Sequence, residues 1–142
     1  VLTAGKTFIL GYTNEEFGIF NNLPVVIFDD FTTSSKYIDF PFKIKSSAIK
    51  ILKCRENYNI VFAFELLQKI KYTIGGHERH WISKFSNINV QVPSLEEQKA
   101  ITEILTTADR ELKLLQEELE EEKRKKKALM QLLLTGIVRV NS

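Results

Sequence analysis

Between Asp29 and Tyr37 the chain reads Asp-Asp-Phe-Thr-Thr-Ser-Ser-Lys-Tyr: two carboxylates, then four consecutive hydroxyls and an ammonium. Adjacent carboxylates are what a magnesium-dependent nuclease would use, but no Glu-x-Lys partner follows at a suitable spacing. The role expected of Asp29 and Asp30 is local, because short carboxylates bond neighbouring backbone and hydroxyl groups and so shape a loop. The hydroxyls and ammonium of Thr32, Thr33, Ser34, Ser35 and Lys36 are groups suited to phosphate oxygens and base edges. Lys43 and Lys45 are two residues apart in an alternating stretch, hence on one strand face, and Lys50 and Lys53 extend the patch. A second cluster of donors with an aromatic lies around Gly75-Gly76: His77, Arg79, His80, Trp81 and Lys84.

Other chemistry fails on spacing. Ala4-Gly5-Lys6-Thr7 resembles the end of a phosphate-binding loop, yet Phe8-Ile9-Leu10 reads as strand where that motif needs a helix. His77 and His80 with a distant Cys54 fall short of the three or four ligands a zinc site requires. There is no Gly-x-Ser-x-Gly, no oriented Cys/His pair and no Asn-Pro-Pro-aromatic tetrapeptide. The sequence is read as non-enzymatic, with no cofactor and no metal.

The elements that must position these residues suggest an α+β head, residues 1–92, followed by one long helix, residues 93–142. Val25–Phe28 is a short β-branched run and reads as a buried strand. Asp29–Tyr37 is expected as a polar loop, and Phe40–Lys45, with Pro41 near its start, as an edge strand. Further strands are expected near Phe8–Leu10, at Ala48–Cys54 and at Asn87–Val92, with a helix over Tyr58–Tyr72 ended by Gly75-Gly76.

From Val92 the sequence changes character. Ser94 and Glu97 fit a capping box, and Gly136 fits a left-handed stop with Ile137 folding back on Leu132 or Leu133. Between those marks there is no Pro or Gly, so about 41 residues at about 1.5 Å each make a rod of about 60 Å. Ile101, Ala108, Leu115, Glu122 and Leu129 form one row. Leu105, Leu112, Leu119, Lys126 and Leu133 form the other, and together they make a heptad seam that calls for a partner helix. Glu122 and Lys126 interrupt it, inside a run of glutamates and then lysines whose i, i+4 pairs Glu120/Arg124, Glu121/Lys125 and Glu122/Lys126 stand in the favourable order.

Composition limits the classes. Over 142 residues the net charge is +2, divided as +3 on residues 1–92 (11 basic, 8 acidic) and −1 on 93–142 (9 basic, 10 acidic). That permits a nucleic-acid partner without demanding one. The longest apolar run, Ile60–Phe64, is far too short to span a bilayer, so no membrane partner is expected. A single cysteine fits a reducing cytoplasm, no signal peptide is evident, and a start at Val1 suggests an excised piece.

Val92-Pro93-Ser94-Leu95-Glu96-Glu97-Gln98-Lys99-Ala100-Ile101, the heptad helix, and Leu132-Leu133-Leu134-Thr135-Gly136-Ile137-Val138-Arg139-Val140 together resemble the specificity subunit of type I restriction-modification systems. Phe28–Tyr37 and Ile74-Gly75-Gly76 through Trp81-Ile82-Ser83 are similar to the later part of that family's target recognition domain. In this family two such domains, separated by two long antiparallel helices, each read half of a split DNA sequence. The helices dock methyltransferase subunits and set the gap between half-sites. The resemblance therefore implies double-stranded DNA, methyltransferase and restriction subunits as partners, and no catalysis by the chain itself. One recognition domain and one helix imply a recognition domain short at its N-terminus and a homodimer through the exposed seam. The residues expected to contact DNA are Thr32, Thr33, Ser34, Ser35, Lys36, Lys43 and Lys45, then Arg79 and His80. The expected helix interface is Ile101, Leu105, Ala108, Leu112, Leu115, Leu119, Glu122, Lys126, Leu129 and Leu133. A coiled-coil module with a protein-binding head is the rival reading.

Overall fold

A computed structural model describes residues 1–3, 7–70 and 80–140. The chain divides into two compact units, Val1–Thr102 and Glu103–Ser142, and it has the expected α+β composition: a small antiparallel sheet and a long C-terminal helix.

The first unit is built on strand β1, Val25–Asp29, buried at every position. A run of apolar, largely β-branched residues is stable in that place because both faces of the strand are covered. β2, Ser35–Ile38, and β3, Ile49–Leu52, flank β1 in the order β2-β1-β3, both antiparallel to it. Ile27 pairs with Lys36 on one side and with Ile51 on the other. Alternation along β1 then sorts its side chains between two layers. Val25 and Ile27 join Leu2, Ile38, Phe42 and Ile49 in one apolar cluster, with Phe8, Phe20 and Ile44 packed against it. Phe28 faces the other layer, where its ring meets Trp81 and Phe85 with centroids 5.1 and 4.8 Å away. The helix α1, Ile60–Lys69, supplies Phe64 to the ring of Tyr37 on β2, 6.3 Å between centroids. At the start of α1 the Asn59 carboxamide oxygen accepts from Val61 N–H and Phe62 N–H at 2.8 and 3.1 Å, which caps the first turn.

Several elements differ from the sequence reading, each for a tertiary reason. Ser35–Ile38 is a strand, although its polar start reads as loop, because the buried backbone of β1 needs a partner on that side. Phe40–Lys45 makes single bridges, Phe42 to Phe20 and Ile44 to Leu2, instead of an edge strand, and Phe8–Leu10 likewise contributes only a bridge, Ile9 to Leu2. The alternating residues 87–92 form no strand; a short helix α2, His80–Ser83, and a 3₁₀ turn, Phe85–Asn87, precede an irregular segment. Helix α1 starts at Ile60 and stops at Lys69, ahead of the Gly75-Gly76 expected to end it, which lies outside the described residues.

The long helix α3 runs Leu95–Leu134, 40 residues, and so about 60 Å. Glu97 N–H donates to the Ser94 hydroxyl at 3.3 Å, the hydroxyl half of the expected box. Gly136 takes φ +74° as expected of a left-handed stop, and the carbonyls of Leu132 and Leu133 accept from Val138 and Gly136 N–H. Ile137 remains 73 % exposed, so the turn back toward Leu132 and Leu133 buries little of it. The ion pairs in the charge run are i, i+3 and not the expected i, i+4: Lys123–Glu120 at 2.7 Å and Lys125–Glu122 at 2.6 Å. Leu112, Leu115, Leu119 and Leu129 are each more than half exposed. Among the described residues no helix is long and apolar enough to cross a membrane.

Candidate nucleic-acid interface

The turn after β1 is held by Asp29. Its Oδ1 accepts from Phe31 N–H at 3.0 Å and its Oδ2 from the Thr32 hydroxyl at 2.6 Å, while its backbone exchanges bonds with Ser34 and Thr33. The turn is tight enough to hold Thr33 at φ +56°, a conformation disfavoured for a β-branched residue. Asp30 serves a different purpose. It is fully buried; Oδ1 accepts Trp81 N–H at 2.7 Å, its carbonyl accepts His80 N–H at 3.0 Å, and Lys50 Nζ stands 3.5 Å from Oδ2. The two aspartates are therefore local anchors, as their sequence context suggests. One fixes the hydroxyl loop, and the other ties α2 to β1 across 51 residues.

The hydroxyls differ in what they leave available. Thr32 and Ser34 are exposed, but the Thr32 hydroxyl is engaged by Asp29. Ser35 is half-buried, and its hydroxyl accepts from Gln68 Nε2 at 2.9 Å, with its carbonyl accepting from the same nitrogen at 3.2 Å. Lys36, exposed on β2, carries its ammonium 5.2 Å from the ring centroid of Phe8, a contact worth about 0.5–1 kcal/mol at the surface. Ser34 and Lys36 line a shallow depression with Thr3, Phe8 and Asp29.

Lys43 and Lys45 sit beside the N-terminal segment. Leu2 N–H donates to Lys43 O at 2.7 Å, and Lys45 N–H donates to Leu2 O at 3.0 Å. The segment then turns back, with Thr3 N–H on Phe8 O and Leu10 N–H on Val1 O. That arrangement sets Tyr12, Thr13 and Glu15 around an open groove with Lys43 and Lys45. Phe8 thus touches Lys36, while Leu2, Tyr12 and Thr13 adjoin Lys43 and Lys45. Tyr12 is 96 % exposed, and nothing in its local sequence marks it as part of a basic surface. A hydrogen bond and the charge of Lys43 hold the Glu15 carboxyl below the usual carboxylate range.

Of the second expected cluster, His80 and Trp81 turn inward while Lys84 is exposed. His80 is 1 % exposed, so it belongs to the interior and not to a contact face; Asp30 draws the start of α2 inward. Trp81 packs on Phe28. Lys50 and Lys53, expected to extend the patch, are directed to Asp30 and to the Phe20 ring, 5.2 Å away. Arg79, with His77, lies outside the described residues, as does most of the phosphate-loop-like stretch at 4–6.

Residues 3–123 match the family model described as the type I restriction modification DNA specificity domain. The chain belongs to that family. Among its relatives is the EcoR124I/EcoR124II type I restriction enzyme specificity subunit of Escherichia coli, 48 % identical over 99 residues, covering 66 % of this chain and 24 % of the relative. A putative type I restriction enzyme MjaX specificity subunit of Methanocaldococcus jannaschii is 34 % identical over 102 residues, 70 % of this chain and 23 % of the relative. The MjaVIII specificity subunit of the same organism is 43 % identical over 56 residues, 39 % and 13 %. The chain thus spans less than a quarter of each of these curated relatives. No solved structure matches it significantly.

In this specificity-domain chain the Pro-x-x-x-Glu-Gln segment that starts α3 has a geometric meaning. Gln98 is 1 % exposed. Its Nε2 donates back to Pro93 O at 2.9 Å and its Oε1 accepts Asn59 N–H at 2.8 Å. One amide joins the start of α3 to the residue that caps α1, which is why a polar residue stands where the helix face is buried.

Proposed function

We propose that the chain is a DNA-recognition module that gives a type I restriction-modification complex its target specificity and performs no catalysis itself. The observation that carries this reading is membership of the DNA specificity domain family across residues 3–123. The arrangement of basic side chains is in keeping with it. Lys36, Lys43 and Lys45 lie along the N-terminal segment with the hydroxyls of Thr32, Thr33, Ser34 and Ser35 near the first of them, donors of the kind that fix a protein's register on a phosphate backbone. Base readout would then fall to the exposed hydroxyls and to Tyr12.

For α3 the proposed role is spacer and docking element. The seam Ile101, Leu105, Ala108, Leu112, Leu115, Leu119, Leu129 and Leu133 pairs with a second helix, in a homodimer with antiparallel α3 helices. Glu122 and Lys126 meet across the seam and set its register. A rod of about 60 Å is a little under two turns of DNA at about 34–36 Å per turn, and methyltransferase subunits, with the restriction subunit through them, dock along it. The exposure of these leucines supports this reading.

The test is a mobility-shift titration with random duplex DNA across a salt series. Binding should weaken linearly on a log–log plot, and Lys36→Ala should lower the slope by about one phosphate contact. Absence of binding at low salt would favour a coiled-coil module whose head binds protein.

A further inference from the structure

Lys43 is the basic residue of the groove whose ammonium already has an anionic partner. Its Nζ is bonded to Glu15 Oε2, contributed by a turn 28 residues earlier in the chain. The pairing is built into the backbone. Thr13 Oγ1 accepts Glu15 N–H at 3.1 Å and fixes the start of that turn. The turn continues to Gly18 at φ +74°, where a Cβ would lie 3.6 Å from Lys43 Cε. Glu15 and Gly18 thus lie against the Lys43 side chain, which is 29 % exposed while Glu15 is 67 % exposed. Lys45 adds its own attraction to the same carboxylate. A carboxylate and a phosphate oxygen satisfy an ammonium by the same charge-assisted bond, so a phosphate that approaches Lys43 meets a charge already partly neutralised by Glu15 and competes with it.

We propose that Glu15 is an affinity-restraining residue of the DNA-contact face, an internal anion that competes for Lys43 and weakens phosphate binding whatever the sequence. This rests on the DNA reading above. The carboxylate lowers the gain from any duplex by the same amount. The pair therefore sets overall affinity and salt dependence and leaves the ratio between sequences unchanged.

The experiment is the binding of a random 30-base-pair duplex to the full chain and to Glu15→Gln, Lys43→Ala and the double variant, each over a salt series. Glu15→Gln should bind roughly three- to tenfold more tightly at low salt, with a log–log slope steeper by about 0.9, the signature of one more phosphate neutralised. Lys43→Ala should weaken binding in the parent, where it leaves the Glu15 carboxylate uncompensated, and abolish the gain in the Glu15→Gln background. Glu15 is on the surface, and matched thermal unfolding of the parent and Glu15→Gln confirms that the variants share one fold. Unchanged affinity and slope in Glu15→Gln, with the parent still binding, overturns the role of Glu15 and leaves the DNA reading standing. Failure of the parent to bind at any salt overturns the DNA reading and this proposal with it.

Discussion

Replacing Gln98 by Leu keeps the side-chain volume while removing both of its hydrogen bonds. Asn59 N–H, which donates to Gln98 Oε1 at 2.8 Å, and Pro93 C=O, which accepts from Nε2 at 2.9 Å, each lose a partner in a site where Gln98 itself is 1 % exposed. An unsatisfied buried group costs about 1–3 kcal/mol. Pro93 and Asn59 are both half-buried and can recover some water, so the expected loss is about 1–3 kcal/mol. For a unit near 100 residues this lowers the melting temperature by roughly 4–24 °C. Trp81, the single tryptophan, lies in that unit, so its fluorescence reports on the head. Gln98→Glu sharpens the test, because a protonated carboxyl can donate to Pro93 O while an ionised one faces that oxygen. Burial raises the pKa of such a group, so stability should fall as pH rises from about 4.3 through the raised value and recover on acidification. A loss below about 0.5 kcal/mol for Leu, or a Glu variant indifferent to pH, would refute the assignment of Gln98 as the joint between α1 and the start of α3.

Asp30→Ala should cost about 2–4 kcal/mol, measured from the urea midpoint, because it orphans Trp81 N–H and leaves Lys50 without its carboxylate; Asp30→Asn, which keeps an acceptor for Trp81, should cost less. Sedimentation should give about twice 16.4 kDa for the parent, and the mass of one chain for Leu112→Lys combined with Leu115→Lys; a parent that stays monomeric would remove the helix pairing. Burial pushes the Cys54 thiol up, so alkylation at pH 8 should be slower than that of free cysteine and become fast once urea unfolds the chain.

The parts of the fold legible in the sequence were those fixed by local patterns. Val25–Phe28 announces a strand by its β-branched run, and α3 is delimited by Ser94 at one end and Gly136 at the other. What escaped depends on partners far away in the chain. Ser35–Ile38 looks like loop until β1 is known to need a second neighbour. His80 looks like surface until Asp30 draws it inside. The site divided the same way. Lys36, Lys43 and Lys45 are visible as basic residues beside strands, yet the groove that unites two of them with Tyr12 and Glu15 is assembled across 28 residues by the bridges of Leu2. Gln98 was visible only as a letter in a motif; its burial and its two bonds supply the physical reason for the letter.

The bond from Gln68 to Ser35 bears on the open edge of the sheet. Ser34 O turns toward β1, so Ser35 O turns to the open side of the sheet, where an unpaired carbonyl would invite an extra strand from another molecule. Gln68 Nε2 already occupies that carbonyl and the hydroxyl beside it. A side chain from α1 therefore stands at Ser35 where an intruding backbone would have to begin its ladder. Strand addition at that edge would first have to break the two bonds of Gln68.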